Sequence, residues 1–179
     1  MVPFSSHQIL NSDDSYFPEF WGVYTSSFPL TERRTIDQQT AVFNNPDYFL
    51  SVILIDNQLI GFISYWVSKE FVFIEHLAIR PESRNKGLGK VILKPFIESL
   101  SVPVILEIEL PVDALTEQRL RFYESLNFKI NNHKHAQPPY HNGDEPIPMK
   151  ILSYPAEISD LQYQMFATFQ KDTVLGSNS

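Results

Sequence analysis

Aromatic rings recur three and four residues apart at Phe17, Phe20, Trp21, Tyr24 and Phe28, the spacing that lines one face of an α-helix. Ser12, Asp13, Asp14 and Ser15 ahead of them offer capping side chains. Pro18 is compatible with this helix because it falls in the first turn. The short, partly apolar stretch from Pro3 to Leu10 precedes it as a first strand. A second helix is predicted from Thr31 to Phe43, stopping at Asn44-Asn45-Pro46.

The pattern then changes to strands. Tyr48 to Ile55 and Leu59 to Val67 are rich in Ile, Val and aromatics and flank Asp56-Asn57-Gln58, which reads as a hairpin turn. Phe71 to Ile79 follows across Ser68-Lys69-Glu70 as a third such run. From Pro81 to Gly89 the chain is polar and glycine-bearing, and Lys90 to Leu100 is predicted helical with Pro95 as a site for a kink. Val104 to Leu110 returns to a strand, and Asp113 through Leu126 forms another helix. Phe128 to Asn131 and Met149 to Tyr154 close as strands around a long polar loop. Pro155 opens a last helix with Ile158, Leu161, Gln162, Met165 and Phe169 as its apolar stripe. The chain from Gly176 onward is expected to fray.

Hairpins followed by strand–helix–strand–helix–strand imply a mixed sheet covered by helices, an α/β architecture. No internal repeat or linker divides it, so residues 1–179 are expected to form a single domain.

Composition narrows the picture. Of 179 residues, 43% are hydrophobic and 20% charged, which separates the chain from disordered sequences. Aromatics reach 13%, so rings fill much of the core. The absence of cysteine excludes a disulfide framework, a thiolate nucleophile and a thiolate zinc site, and fits a reducing compartment. With a net charge of −7 and scattered Lys and Arg, the chain lacks the basic stripe of a nucleic-acid binder. Its acidity favours cationic small molecules or basic peptides. No apolar run approaches the roughly eighteen residues of a membrane span. The start, Met-Val-Pro-Phe-Ser-Ser-His, has neither the basic nor the apolar region of a leader, so the expected location is the cytoplasm, with no membrane partner.

The chemistry concentrates in Glu75-His76-Leu77-Ala78-Ile79-Arg80-Pro81-Glu82-Ser83-Arg84-Asn85-Lys86-Gly87-Leu88-Gly89-Lys90. A buried strand feeds a tight loop that opens into a helix. The first amides of a helix lack internal partners and carry partial positive charge. Gly87 and Gly89 let an anion approach them, and Arg84, Lys86 and Lys90 add formal charge. This is the pattern of a phosphate or pyrophosphate cradle. It is not a P-loop, since only Leu88 separates the glycines and Val91 follows Lys90. It is not a dinucleotide fingerprint either, because Ile92 stands where a third glycine would be. Taken alone, the loop could equally be a charged, glycine-containing helix start.

Arg84-x-x-Gly87-x-Gly89 resembles the Gln/Arg-x-x-Gly-x-Gly/Ala signature of the GNAT superfamily of N-acetyltransferases. Arg121-Phe122-Tyr123-Glu124-Ser125-Leu126-Asn127-Phe128 is similar to the family's Phe-Tyr-Glu-x-x-Gly-Phe, with Asn127 in place of glycine, a mild change at a left-handed cap. Thr116 stands where many relatives have an Asn that contacts pantetheine. The likeness covers roughly residues 5 to 155 and leaves the helix over about 156–171 as an addition.

This resemblance implies a GNAT-like mixed, mostly antiparallel sheet, splayed between strands 4 and 5 and flanked by helices. It implies acetyl-CoA as cosubstrate. The Leu77, Ala78 and Ile79 backbones would pair with pantetheine, and a strand amide would stabilise the tetrahedral oxyanion. The Arg84 side chain and the amides of Asn85, Lys86, Gly87, Leu88, Gly89 and Lys90 would hold the pyrophosphate. Tyr123 matches the family's general acid, which protonates the departing thiolate; a buried aromatic anchor is the plainer alternative.

For the general base, Glu75 is the first candidate. Strand alternation puts it on one face with Phe73 and Leu77, where apolar neighbours would raise its pKa, and it sets His76 on the opposite face. His76, a water chain, and the pair Glu107 and Glu109, which share a face and could bind a cationic acceptor, remain as alternatives. His133, His135, His141, Asp144 and Glu145 crowd the last loop; a polar loop without metal is the reading, with Tyr140 bordering the acceptor cleft. The C-terminal stripe must be covered by its own sheet or by a second subunit, which would make a homodimer. The function expected is acetyl transfer to a small-molecule or peptide amine by direct attack. The alternative is a non-catalytic acyl-CoA-binding module.

Overall fold

A computed structural model describes residues 3–176. Its eight-stranded sheet has the order β1-β2-β3-β4-β5-β8-β6, with β7 also paired to β8. The strands are β1 (Ser5–Ile9), β2 (Tyr48–Ile55), β3 (Gln58–Val67), β4 (Val72–Ile79), β5 (Val104–Glu109), β6 (Lys129–Ile130), β7 (His135–Gln137) and β8 (Ile147–Tyr154). Every pairing is antiparallel except β4 with β5. The helices are α1 (Phe17–Ser27), α2 (Ile36–Val42), α3 (Leu88–Glu98), α4 (Ala114–Glu124) and α5 (Asp160–Phe169). This is the mixed α/β sheet the sequence implied.

The β2–β3 hairpin turns on two residues, Asp56 and Asn57, at φ 50° and 61°. Both sit in the left-handed region that a twist-matched two-residue turn requires, so Gln58 already belongs to β3.

The parallel pair controls the site. Only Val72–Ile74 pairs with Val104–Leu106; beyond those residues the strands separate. β4 also carries a bulge, since Ser64 faces His76 while Tyr65 faces Ile74, leaving Glu75 as the extra residue. A bulge re-aims side chains because the extra residue breaks the alternation of faces.

The core divides across the sheet. On one face α1, α2 and α5 cover Phe20, Tyr24, Phe62, Trp66, Phe73 and Phe166. On the other, α3 and α4 cover Leu93, Ile97, Leu106, Tyr123, Leu126 and Phe128.

Several boundaries move from those the sequence predicts. Thr35 and Gln38 form a capping box, so α2 begins at Ile36, behind a 3-10 turn at Leu30–Glu32. The α3 helix starts at Leu88 and retains Pro95 in its interior. The histidine-bearing loop contributes β7, which no alternation announces.

The predicted stripe of the last helix is corrected in part. Ile158 is buried and Phe169 packs against the core, but Leu161 is 66% exposed and Met165 is exposed, and Phe166, Gln170 and Val174 complete the inward face. A π turn at Gln170–Val174 follows the helix. Phe166 and Phe169 set much of its apolar face against its own sheet. The expected fraying falls on residues 177–179, outside the described residues. Among the described residues, no helix is long and apolar enough to cross a membrane.

Candidate active site

Where β4 and β5 part, a cleft of about 890 Å³ opens, lined from the glycine loop to the α1–α2 connection. At one end lie Leu77, Ala78 and Ile79 of β4, with Arg84, Asn85, Gly87, Leu88, Gly89 and Lys90. Lys86 is exposed on the same loop but does not line the cleft. Asn85 and Gly87 have φ of 60° and 73°, and a loop of this kind turns its amides toward a common point.

The two glycines serve different ends. Open space surrounds Gly87, whose requirement is its backbone angle, whereas a Cβ on Gly89 would meet the Phe122 ring at 3.1 Å. Gly89 therefore lets the start of α3 approach α4. The Arg84 Nε donates to the Ile79 carbonyl at 2.8 Å, which ties the loop to the end of β4.

Tyr123 lines the middle of the cleft, packed against Phe122 and Phe128. No hydrogen bond among the described residues engages its hydroxyl. Burial pushes its pKa up to about 12, against the opposing charge of Arg119, so the phenol keeps its proton near neutral pH. Asn127 has φ 67°, the left-handed cap the sequence suggested. Thr116 is occupied in the α4 capping box, bonding Asp113 through both backbone and side chain.

The expectations for Glu75 are corrected. Its carboxylate is only 1% exposed and meets the Arg34 guanidinium at 2.8 Å. Trp66 Nε1 donates to it at 2.8 Å and the Tyr140 hydroxyl at 2.7 Å. Burial alone would raise its pKa; Arg34 first, then His76 and the hydrogen bonds, outweigh that and hold it below the ordinary carboxylate value. The bulge also brings His76 to the same side, with Nδ1 3.9 Å from the Glu75 carboxylate, while Leu77 joins the opposite cluster. Tyr140 is thereby a buried partner of Glu75 and not a border of the cleft.

His76 is also engaged. Its Nε2–H donates to the Glu32 carbonyl at 2.9 Å, which leaves Nδ1 to accept from the Ser64 hydroxyl at 3.3 Å. Burial lowers its pKa despite Glu75.

The far end of the cleft is acidic, with Glu32, Glu107 and Glu109 among its lining. Burial raises the Glu32 carboxyl above its usual value; Arg119 opposes this and Glu107 adds to it. Arg119 pairs with Glu109. Glu107 receives His135 Nε2 on one oxygen and Gln170 Nε2 on the other, the latter at 2.7 Å. Gln137 is buried here too, and its Nε2 lacks a partner. Glu32, Arg119, Gln137 and the node at Arg34 escape sequence reasoning because nothing local marks them; only the doublet Arg33-Arg34 beside Glu32 hints that charge gathers there.

The histidine-rich segment divides its work. His133 stacks on Tyr163 and meets Asp160 at 3.1 Å. His141 Nε2 lies 2.9 Å from the Leu30 carbonyl, pinning the 3-10 turn that carries Glu32.

The family model described as "Acetyltransferase (GNAT) family" matches residues 7–128. A solved structure from Bacteroides thetaiotaomicron, named as a GNAT-family acetyltransferase, is 29% identical, with a TM-score of 0.89 over 96% of this chain and 98% of that one. YjbC of Bacillus subtilis, named as an acetyltransferase, is 41% identical over 71 residues, which is 37% of this chain and 33% of that protein. Arabidopsis thaliana Naa50, solved with the bisubstrate analogue CoA-Ac-MVNAL, shares the fold at 17% identity and a TM-score of 0.63, covering 86% of this chain and 99% of its own.

Proposed function

Since the chain belongs to the GNAT family of acetyltransferases, whose model matches residues 7–128, we propose that it moves an acetyl group from acetyl-CoA to a primary amine by direct attack in a ternary complex. One observation carries this reading: a single cleft contains the glycine loop, an unbonded protonated phenol and an acidic far end. Loop amides from Asn85 to Lys90, with the remaining donors of Arg84, hold the pyrophosphate. The Leu77–Ile79 edge, unpaired toward β5, receives pantetheine.

The acceptor enters past Glu32, Glu107 and Glu109, loses one proton, and attacks the thioester carbonyl. The C–N bond forms and the C–S bond breaks. Tyr123 gives its proton to the thiolate and is restored by the second proton leaving nitrogen. Glu32, with no side-chain partner among the described residues and a raised pKa, suits the first proton better than Glu75, which is saturated and acidified. Glu75 holds the bulge instead. The reading places the enzyme in the cytoplasm, consistent with a chain free of cysteine.

The test is CoA release from acetyl-CoA with a panel of polyamines, amino acids, aminoglycosides and peptides, beside calorimetry with acetyl-CoA. Gly87→Glu puts bulk and negative charge at the pyrophosphate position, and acetyl-CoA binding is expected to vanish in the folded variant. Tight binding without CoA release for any amine would replace the enzyme by a sensing module. Unchanged affinity in Gly87→Glu would remove the loop assignment.

A further inference from the structure

The carboxylates at the acceptor end are not equivalent. Glu109 is neutralised by a permanent cation, Arg119. Glu107 has no such partner: its oxygens are held by a neutral amide, Gln170, and by a histidine, His135. His135 and Gln170, like Tyr163 which completes the set, lie beyond the residues matched by the family model.

The hydrogen bonds around His135 can be followed proton by proton. Its Nδ1 lies 3.0 Å from the Tyr163 hydroxyl, and that hydroxyl also lies 3.2 Å from the Lys134 carbonyl. With the imidazole neutral, Nε2–H donates to Glu107 and the Tyr163 hydroxyl donates to Nδ1. With the imidazole charged, both ring N–H groups donate, and the Tyr163 hydroxyl turns to the Lys134 carbonyl. Both states leave each ring nitrogen partnered without moving a heavy atom, because a hydroxyl proton rotates to suit its neighbours. Glu107 is thus held in one position whether or not its neighbour cancels its charge.

We propose that Glu107 is the subsite for the acceptor's ammonium, with His135, Gln170 and Tyr163 as positioning residues that hold its carboxylate without a permanent cation beside it. The class selected is an aliphatic primary amine, cationic in solution. Gln137 lines the same end, is 7% exposed, and its Nε2 has no partner among the described residues, so this end also offers a free donor to an oxygen elsewhere on the acceptor. The inference rests on the amine-acetylating reading above and adds where the amine sits and what governs its affinity.

The experiment uses the full chain with the aliphatic amine that performs best in the panel. Glu107→Gln, close in shape, is expected to raise acceptor KM by about 10- to 100-fold, the range for losing a hydrogen bond to a charged group, with less change in kcat and none in acetyl-CoA affinity. Gln170→Ala and Tyr163→Phe loosen the hold on Glu107 without removing its charge, so each is expected to raise acceptor KM by a smaller factor, with kcat near wild type. A normal KM in folded Glu107→Gln, or a loss confined to kcat, would overturn the subsite. Absence of CoA release with every amine would instead remove the enzymatic reading, while calorimetry of the amine with CoA present, compared between wild type and Glu107→Gln, still reports on the subsite.

Discussion

Glu75 on β4 and Glu107 on β5 lie on neighbouring strands and face the same side of the sheet. Their side chains are 1% and 8% exposed, and hydrogen bonds reach both oxygens of each. Glu75 meets a guanidinium that never loses its charge, flanked by the rings of Tyr48, Trp66 and Tyr140. Glu107 meets an imidazole and a neutral amide. The first arrangement keeps a carboxylate ionised and unavailable, and the second holds one in place with no permanent cation beside it. A buried acid in a cleft is therefore judged by its partner's chemistry more than by its own burial.

The firmest way to break this contrast is to remove the permanent cation. Arg34→Met leaves Glu75 buried and uncompensated, and should cost about 3–5 kcal/mol of stability in denaturant unfolding. The double variant Arg34→Met with Glu75→Leu should recover much of that loss, since no charge then remains stranded. Failure to recover would mean that Arg34 acts chiefly through Val174, whose carbonyl it holds at 3.0 Å.

Tyr123→Phe probes the cleft that the two carboxylates also line. It preserves the ring and deletes the hydroxyl, so turnover should fall by roughly 10- to 1000-fold with little change in acetyl-CoA affinity. A normal turnover number would assign the tyrosine to the core.

The pH dependence of stability sharpens the comparison further. Glu75 has a lower pKa in the fold than in the unfolded chain, so its ionised form stabilises the fold at every pH above the ordinary glutamate value. That contribution declines as the pH drops below this value toward the depressed one. Urea midpoints measured from pH 6 downward should fall less steeply for Glu75→Gln, even though that variant is weaker at pH 6. Parallel slopes would show that other groups dominate acid unfolding.

The smallest effect belongs to Glu109. Its pair with Arg119 is about one-third exposed on each side, so Glu109→Gln should change stability by less than about 1 kcal/mol after solvent screening, and less again in high salt. A larger loss would promote Glu109 to the same rank as its two neighbours.

Much of the fold was legible because its elements carry strong local signals. The ring spacing of α1, the Ile- and Val-rich runs of β2 and β3, and Asp113 as a helix cap all speak within a few residues. The glycine loop was legible for the same reason, since Gly87 and Asn85 answer a local backbone demand. The environment of Glu75 was not. Val-Phe-Ile-Glu-His-Leu reads as plain alternation, and nothing in those six residues says that a bulge shifts His76 to the other face; the register of β3 decides it. Burial suggested a raised pKa, but the deciding charge stands 41 residues away at Arg34. Glu32 and His135 were equally hidden, because each matters through partners that only chain closure supplies. The stripe on the last helix was only partly legible, because Ile158 and Phe169 turn inward while Leu161 and Met165 at the same spacing stay exposed.

The Val174 carbonyl, gripped by Arg34 from the opposite end of the chain, bears on how the domain can be divided. The family match stops at residue 128, yet β8, seated between β5 and β6, lies beyond that limit, as do the groups that hold Glu107 and one of those that hold Arg34. Trimming to the stretch that the family model matches would remove the partners of Glu107 and one of those of Arg34. The segment after residue 128 thus helps to build the cleft rather than decorating a portable core. Exchanging it between relatives is a more promising way to alter acceptor choice than grafting the matched stretch alone.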